Sequence, residues 1–450
     1  MTKTSDFEIV STRQQRIAEL AKQSPQMGFT SLNHHIDMHW LREAYRRTRK
    51  DGAVGVDGQR AADYKANLED NLQSLLERAK SGTYKAPPVR RVHIPKGGSA
   101  TETRPIGIPA FEDKVLQRAV VQVLEAIYEQ DFYDCSYGFR SGRSAHDALQ
   151  ALWQQTMQSG GGWILELDIR KFFDELDHTH LRAFLQRRVR DGVLLRLIGK
   201  WLNAGVLDEG ALSYPEAGSP QGGVVSPVLS NVFLHYVLDG WFAREVQPRL
   251  KGKAFLIRYA DDAVIGFTDE RDARRVLDVL PKRFGRYGLR LHPEKTRLVR
   301  FHRPLRRSDH KRPPSDRTSG TFDLLGFTHY WGLSRKGNWV VKRKTAPSRF
   351  TRALRAIAQW CRLHRHHPIA EQHETLCQKL RGHFAYYGIT SNALALGRFR
   401  HEVVRTWHKW LSRRRRDGTI PWPQFNRLLD RYPLPRAVAI HSVCRRAANP

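Results

Sequence analysis

Two adjacent aspartates, Asp261 and Asp262, stand between two short apolar runs in residues 255–267, FLIRYADDAVIGF. Both runs are rich in β-favouring residues, so the sequence predicts a strand, a tight turn that carries the acids, and a second strand. Like charges a few Å apart repel each other, and apolar flanks weaken their hydration. A divalent cation would remove that penalty, and carboxylates around Mg²⁺ are what two-metal phosphoryl transfer requires. Turns favour Asp, so a solvated pair in a polar turn is the alternative.

A second strand with its own acid weakens that alternative. Residues 163–168, WILELD, alternate in polarity and end on Asp168, and residues 169–177 look like the start of a helix. If this strand pairs beside the predicted hairpin, Asp168 would lie about 5 Å across from Asp261 or Asp262, the spacing of neighbouring strands. The three carboxylates would then form one site for shared metal ions.

With these acids in place, the chain resembles a reverse transcriptase. The family's first catalytic motif resembles ELDIRKFFDELDH at 166–178, its second GSPQGGVVSPVLSNVFL at 218–234, and its third YADD at 259–262. The three motifs occur in the family's order and spacing.

Other segments resemble one branch, the group II intron reverse transcriptase and maturase. They are GVDG at 55–58, HIPK at 93–96, RPIGIP at 104–109, YGFRSGRSAHDAL at 137–149 and RGHFAYYG at 381–388. The likeness covers roughly residues 40–412. No HNH nuclease domain with zinc-binding Cys pairs follows, so the chain resembles the shorter, endonuclease-lacking form.

The resemblance implies an α+β fold arranged as a right-hand polymerase. The palm, with an antiparallel sheet and the acidic site, would span 161–340, and the helical thumb or maturase domain 341–412. The other expected segments are an N-terminal extension at 1–33, fingers at 34–160, a mobile polar insert at 302–321, and a basic tail at 413–450 that could be a DNA-binding remnant.

Apolar periodicity predicts helices outside the palm. They are expected at 34–50, 61–79, 111–130 and 144–158, with a fingers hairpin within 85–109. The pattern is helical again beyond Pro347, and residues 340–416 hold 18 Lys and Arg against 3 acids. Such a basic helical region is expected to grip a nucleic-acid duplex.

The resemblance also implies roles for single residues of the palm. Two Mg²⁺ ions, or Mn²⁺ in their place, would be held by Asp168, Asp261, Asp262 and the carbonyl of Ile169. Phe173 would crowd the sugar 2′ position and favour dNTPs, although one of Phe172 and Phe173 is expected to belong to the core. Lys295 would donate a proton to the leaving pyrophosphate; a surface lysine at a strand end explains it equally well.

Further residues would contact the nucleotide, the template or the primer. Lys96 and Arg104 match fingers residues that contact the incoming triphosphate, as charge-assisted donors to phosphate should. Gln221 resembles a residue beneath the nascent base pair; a plain structural turn is the alternative. The expected template and primer contacts are Gly222, Gly223, Tyr259 and the primer-grip residues Leu325, Gly326 and Phe327.

Basic residues of the thumb would bind RNA. The candidates are Arg381, Arg398, Arg400, Arg405 and Lys409. The arginine run 413–416 could be a nucleic-acid clamp or a solvated helix end, and Trp407 and Trp410 are expected to be available for stacking.

Composition agrees with a nucleic-acid partner. The chain has 76 Lys and Arg against 45 Asp and Glu, a formal charge of +31, which implies a polyanionic ligand. No run approaches the roughly 18 apolar residues of a membrane span, so no membrane association is expected. The N-terminus lacks an apolar signal core, and the four cysteines are far apart, which favours a reduced bacterial cytoplasm without structural zinc. The histidines of RLHRHHP at 362–368 are interpreted as a basic turn.

The resemblance thus implies an RNA-directed DNA polymerase (EC 2.7.7.49) that uses dNTPs, an RNA template and a DNA primer. The resemblance adds binding of a group II intron RNA, help with its splicing, and copying of the intron into target DNA. Two alternatives stay open: a splicing cofactor with a dormant polymerase, and a host-adopted reverse transcriptase in repair or phage defence. The sequence leaves the oligomeric state undetermined.

Overall fold

The computed structural model describes residues 5–95, 103–214, 217–218, 222–304, 319–414 and 418–441. The chain divides into two compact units. The first combines Met1–Ala148 with Leu165–Leu298, and the second combines Leu149–Ile164 with Val299–Pro450. The predicted insert at 302–321 falls largely on 305–318, outside the described residues.

The N-terminal half is mostly helical. Its elements are α1 (Asp6–Gln23), α2 (Met38–Arg47), α3 (Ala61–Ala66), α4 (Leu68–Ser81), β1 (Val89–Pro95), β2 (Thr103–Ile108), α5 (Phe111–Asp131) and α6 (Ala145–Ser159). They match the predicted helices, except that the helix expected at 61–79 is interrupted at Asn67, whose backbone is not helical. The predicted fingers hairpin is the antiparallel pair β1–β2.

The segment expected to be an N-terminal extension contains an ordered helix. Ser5 caps α1 in a capping box with Glu8, which satisfies backbone donors at the start of the helix. The inner face of α1 buries Val10, Ile17 and Ala21 completely or almost so. Helix α1 therefore belongs to the core of the first unit, where it packs on α5.

The middle of the chain alternates strands and helices. Its elements are β3 (Gly161–Leu167), α7 (His178–Gln186), α8 (Gly192–Leu202), β4 (Val206–Asp208), β5 (Ala211–Ser213), α9 (Ser226–Leu234), β6 (Ala254–Tyr259), β7 (Asp262–Phe267), α10 (Glu270–Gly285) and β8 (Arg297–His302). One sheet has the strand order β6-β7-β3-β8, and another has the order β2-β1-β4-β5. The strand expected at 163–168 therefore does pair beside the hairpin.

The prediction that residues 169–177 start a helix is wrong. Most of this stretch forms turns, and Lys171 has a φ of 43°, which a helix does not allow. The helix α7 begins at His178, where the Asp177 side chain accepts the backbone N–H of His180. Asp177 is therefore the N-cap, and the helix begins nine residues after the predicted start at residue 169.

The second unit contains a small antiparallel sheet and a helical bundle. Its elements beyond residue 299 are β9 (Phe322–Leu324), β10 (Phe327–Leu333), β11 (Trp339–Thr345), α11 (Pro347–Leu363), α12 (Ile369–Tyr387), α13 (Ala393–Ser412) and α14 (Trp422–Arg431). The sheet order is β11-β10-β9. Phe425 of α14 and Leu434 are buried in the same core as α12 and α13, so the described part of the predicted tail is packed structure.

No helix in the described parts of the chain is both long enough and apolar enough to cross a bilayer.

Candidate active site at the hairpin turn

The acidic pair lies at the tight turn of an antiparallel hairpin, as predicted. Tyr259 of β6 pairs with Asp262 of β7, which leaves Ala260 and Asp261 as the two turn residues. Ala260 has a φ of 56°, a left-handed conformation that few non-glycine residues adopt. Asp261 is half-buried, and Asp262 is exposed at the first position of β7.

Asp168 follows the neighbouring strand β3. Its backbone N–H donates to Oγ1 of Thr296, and the Thr296 hydroxyl is 3.4 Å from the Asp168 carbonyl to which it donates. The same carbonyl accepts the backbone N–H of His292 at 2.8 Å. The loop before β8 thus fixes the backbone of Asp168 at the end of the sheet.

The backbone carbonyl of Ile169 takes no part in the hydrogen bonds between this segment and the loop before β8. Ile169 faces Leu291 in an isolated antiparallel bridge whose hydrogen bonds are made by the flanking residues Asp168 and Arg170. In such a pair the central N–H and C=O are not used by the partner strand. The carbonyl could therefore serve as a further oxygen ligand.

Asp168 and Asp261 interact electrostatically. The pKa of Asp261 is raised, mainly by burial, and the charge of Asp168 raises it further, while Arg104 and Arg258 lower it. Repulsion of this kind is what a cation between two carboxylates relieves. The donors are all oxygens, which is the ligand set that Mg²⁺ prefers.

Among the described residues, no group of three or more His, Cys, Asp or Glu side chains is arranged to hold a metal ion. Asp168 and Asp261 lie at the ends of the neighbouring strands β3 and β7, and the charge of Asp168 raises the pKa of Asp261. Their role as metal ligands stays a prediction. The role of Asp262 as a ligand stays a prediction.

Lys295 reaches the same site. Its Nζ lies 3.4 Å from Oδ2 of Asp168, while 60% of its side chain is exposed. The ammonium balances part of the acidic charge, and it stays accessible from solvent. Its role as a proton donor stays a prediction, but its position next to Asp168 suits that role.

The other nucleotide-contact residues fall into two groups. Arg104, on β2, is exposed and close enough to Asp261 to influence its pKa. Phe172 is buried against Phe233, whereas Phe173 is only partly buried, so one of the two phenylalanines does belong to the core. Lys96 and Gln221 lie outside the described residues.

Gly222 of the second motif lies against β2. Gly222 has a φ of 111°, and a Cβ on it would come 2.5 Å from the carbonyl oxygen of Gly107. Oε1 of Gln117 accepts the backbone N–H groups of Val224 and Val225, at 2.8 and 3.2 Å. The close approach of Gly222 is therefore to the protein's own backbone, which favours the structural interpretation for this glycine.

Tyr259 is half-buried, and its ring centroid lies 6.4 Å from that of Phe139. Gly223 is buried.

In the second unit, the predicted primer grip is the turn between β9 and β10. Leu325 and Gly326 both have positive φ, 51° and 80°. The carbonyl of Leu325 accepts the hydroxyl of Tyr386 at 2.8 Å. Phe327 is fully buried, and its part in the primer grip stays a prediction. Phe327 belongs to the apolar core because strand alternation points it inward.

Most of the basic thumb candidates are accessible. Arg381, Arg398, Arg405 and Lys409 are exposed. Arg400 differs, because its guanidinium donates to the carbonyls of Pro435 and Leu434 at 3.0 and 3.3 Å. These two hydrogen bonds give Arg400 a structural role, and its contact with RNA stays a prediction.

Near the end of α13, the prediction that Trp407 is available for stacking is wrong. Trp407 is fully buried, and its Nε1 donates to Oε1 of Gln372 at 3.0 Å, so it is not available for stacking. Trp410 is partly exposed, with Arg413 over its ring. Arg414 donates to the carbonyls of Arg365 and His367, and residues 415–416 lie outside the described residues.

Sequence reasoning missed Arg258, a fully buried arginine two positions before the turn. A charged residue inside the apolar run FLIRY was the available signal. A buried charge in a strand requires a partner, but the sequence does not say where that partner lies.

Comparison with known proteins identifies similar chains. A family model described as reverse transcriptase (RNA-dependent DNA polymerase) matches residues 94–329. Protein YkfC of Escherichia coli K12 is 38% identical over 234 residues, which cover 50% of this chain and 61% of that protein. Group II intron-encoded protein LtrA of Lactococcus lactis is 34% identical over 224 residues, 49% of this chain and 37% of LtrA. Nuclear intron maturase 4 of Arabidopsis thaliana is 31% identical over 128 residues, 28% of this chain and 16% of that protein.

Proposed function

Because the chain belongs to the reverse transcriptase (RNA-dependent DNA polymerase) family, we propose that it transfers dNMP units to a primer 3′-hydroxyl under the direction of an RNA template. The predicted α+β class, with helices and antiparallel sheets, is confirmed. One observation supports the activity most directly: Asp168 and Asp261 interact at the ends of the neighbouring strands β3 and β7.

In this proposal, Asp168, Asp261 and the carbonyl of Ile169 hold divalent metal, with Asp262 as a further candidate. Two Mg²⁺ ions held there would supply activation of the primer hydroxyl and stabilisation of the leaving pyrophosphate. The sheet fixes the two carboxylates before substrate arrives, so little reorganisation is needed at the moment of reaction.

Three further side chains are assigned to the nucleotide. Arg104 attracts the triphosphate, since it is exposed and carries charge near Asp261. Phe173 limits space at the sugar 2′ position. Lys295 donates a proton to the pyrophosphate oxygen that leaves, from its place beside Asp168.

We also propose that the protein acts as a maturase on a group II intron RNA, and that it supports copying of the intron into target DNA in a bacterial cytoplasm. The similarity to LtrA and to an intron maturase supports this role. The exposed cations on α12 and α13 and the net charge of +31 suit an RNA partner. The assignment of fingers to 34–160, palm to 161–340 and thumb to 341–412 is part of the same proposal.

A dormant polymerase is the less favoured alternative. A site that no longer served catalysis would have no physical reason to keep two repelling carboxylates half-buried together. A host-adopted enzyme without an intron would keep the same chemistry, so the nucleotides that flank the gene, rather than the site, distinguish it.

Primer extension on poly(rA)/oligo(dT) tests the proposal. The protein, with Mg²⁺ and dTTP, is expected to extend the primer, and extension should stop when the metal is chelated. A well-folded protein that incorporates no dTTP with either Mg²⁺ or Mn²⁺ would contradict the polymerase assignment.

A further inference from the structure

Arg258 of β6 is fully buried, and so is its partner Asp239. Nε of Arg258 donates to Oδ1 of Asp239 at 2.7 Å, and Nη2 donates to Oδ2 at 2.5 Å. Burying a guanidinium is unfavourable unless it is paired and its donors are satisfied. This two-pronged geometry is the strongest form of Arg–carboxylate pair.

The remaining donors of Arg258 bind groups around the hairpin turn. Nη1 donates to the carbonyl oxygen of Ala260 at 3.0 Å and to Oδ1 of Asn231 at 2.9 Å. Nη2 also donates to Oγ of Ser136 at 2.7 Å. The Ala260 carbonyl belongs to the peptide group that leads directly into Asp261, so Arg258 holds the backbone on which that carboxylate is mounted.

The segment at residues 135–138 contacts the same part of the backbone through an isolated bridge between Ser136 and Arg258. The backbone N–H of Arg258 donates to the backbone carbonyl of Cys135, and the Arg258 carbonyl accepts the backbone N–H of Tyr137. A Cβ on Gly138 would clash with the backbone nitrogen of Ala260. Asn231 donates to the Gly138 carbonyl at 2.7 Å, which joins this segment to the Arg258 network.

Two irregular features lie in this network. Ala260 has a φ of 56°, a conformation that is retained only when its surroundings impose it. Asp239 ends a π-helical turn, His235–Asp239, and such turns are rare and concentrate at functional sites. Both features lie at the two ends of the Arg258 contacts.

We propose that Arg258 and Asp239 form the positioning pair of the active site: the buried guanidinium fixes the Ala260 carbonyl and thereby the direction of the Asp261 carboxylate. This inference rests on the proposed function, since it assigns the pair to the polymerase site. Arg258 does not touch the nucleotide; it acts through the turn.

The test replaces the pair by apolar residues of similar size, Arg258→Met with Asp239→Leu. Removing both partners avoids an unpaired buried charge, and such replacements are often tolerated by folded proteins. Arg258→Lys is the conservative variant, since it keeps the charge but presents a single donor group in place of the planar fork.

A second buried arginine provides the matched control. Arg188 pairs with Asp131 and donates to the carbonyls of Ala21, Ser24 and Met27, away from the turn. Arg188→Met with Asp131→Leu therefore removes a largely buried Arg–Asp pair of the same unit without touching the turn.

Two readouts are needed besides the melting temperature. The first is kcat and KM for dTTP on poly(rA)/oligo(dT); the second is Mn²⁺ binding to the protein without nucleotide, followed by electron paramagnetic resonance of the free ion. For the Arg258/Asp239 double variant, kcat should fall about 10- to 100-fold with little change in KM, because a displaced catalytic group affects the transition state. Mn²⁺ affinity should fall about 10-fold, as for other groups that orient metal ligands. The kcat and the Mn²⁺ affinity of Arg258→Lys should lie between those of the double variant and those of the wild type.

The control pair should change the melting temperature without changing kcat or Mn²⁺ affinity of the folded protein. A folded Arg258/Asp239 double variant with wild-type kcat and Mn²⁺ affinity would overturn the positioning role. If the wild type itself makes no cDNA, the proposed function fails, and the Mn²⁺ comparison then still decides whether the pair positions Asp261.

Discussion

The ammonium of Lys295 lies 3.4 Å from a carboxylate oxygen of Asp168, at the end of the sheet that carries both acids. The contact places an exposed cation next to one of the two carboxylates that we assign to metal. An exposed ion pair contributes little to stability, so the value of this lysine is expected to lie in the reaction.

Lys295→Ala should lower kcat by about 10- to 100-fold, because general acids of this kind contribute at least that much. The Mg²⁺ concentration for half-maximal activity should change less than about fivefold, since the exposed pair is worth under about 1 kcal/mol. Steady-state extension assays across Mg²⁺ concentrations measure both quantities. Lys282→Ala, an exposed lysine on α10, is the control, and a Lys295→Ala enzyme with unchanged kcat would remove the proton-donor role.

Phe173→Ala should weaken discrimination against ribonucleotides, because the partly exposed ring would no longer crowd the 2′-hydroxyl. The ratio of kcat/KM for dGTP to that for GTP is expected to fall about 10- to 100-fold, while dGTP incorporation is largely kept. Phe172→Ala is the informative comparison. That ring is buried, so its loss should reduce the free energy of unfolding by about 3–5 kcal/mol. An unchanged dGTP to GTP ratio in Phe173→Ala would mean that another residue reads the sugar.

A buried acid outside the site should make stability depend on pH. Burial raises the pKa of Asp113 from 3.8 to about 7, although the hydrogen bond from Tyr84 opposes the shift. The folded protein then keeps this proton up to a higher pH than the unfolded chain does. The contribution of this proton to the free energy of unfolding is fully present below about pH 4, and it is lost as the pH rises through about 7.

Asp113→Asn removes this titration and keeps an oxygen that can accept from Tyr84. The free energy of unfolding of the variant, relative to the wild type, should therefore rise by about 2–3 kcal/mol between pH 5 and pH 8. Urea unfolding at the two pH values measures it. A difference that stays constant with pH would show that Asp113 ionises with an ordinary pKa.

Two arginines on α13 should behave differently, although both were predicted to bind RNA. Arg398 is exposed, so Arg398→Ala should weaken binding to a structured RNA hairpin. The slope of log affinity against log salt concentration should become shallower by about one, the release of one counterion. Arg400 is tied to the carbonyls of Leu434 and Pro435, so Arg400→Ala should instead reduce the free energy of unfolding by about 1–3 kcal/mol. Filter binding between 50 and 300 mM KCl and urea unfolding distinguish the two. The assignment fails if Arg400→Ala changes the salt dependence and Arg398→Ala does not.

The acidic hairpin and its neighbouring strand could be predicted because their signals are local. Alternating apolar residues specify strands, and the acids stand at their ends, so the turn at Ala260 and Asp261 and the place of Asp168 followed from the sequence. The same local signals failed at 169–177, because the backbone there bonds to a distant loop through Arg170 and Arg290 instead of coiling into a helix.

Long-range partners could not be predicted. Arg258 and Asp239 are 19 positions apart and meet only after folding. The burial of Trp407 and the carbonyl contacts of Arg400 also depend on packing between α12, α13 and the segment after α13, which residue type alone does not encode. An arginine in a basic segment usually faces solvent, so the internal contacts of Arg400 are visible only in the folded structure.

The most direct test of the central claim is Asp261→Asn, compared with Asp278→Asn, which changes an exposed aspartate on α10. Both variants should fold and bind an RNA hairpin as the wild type does. Asp261→Asn should lose cDNA synthesis by about 1,000-fold or more, as expected when a charge at the reacting centre is removed, and Asp278→Asn should keep it. Normal cDNA synthesis by a folded Asp261→Asn protein would contradict the assignment of Asp168 and Asp261 as the catalytic carboxylates.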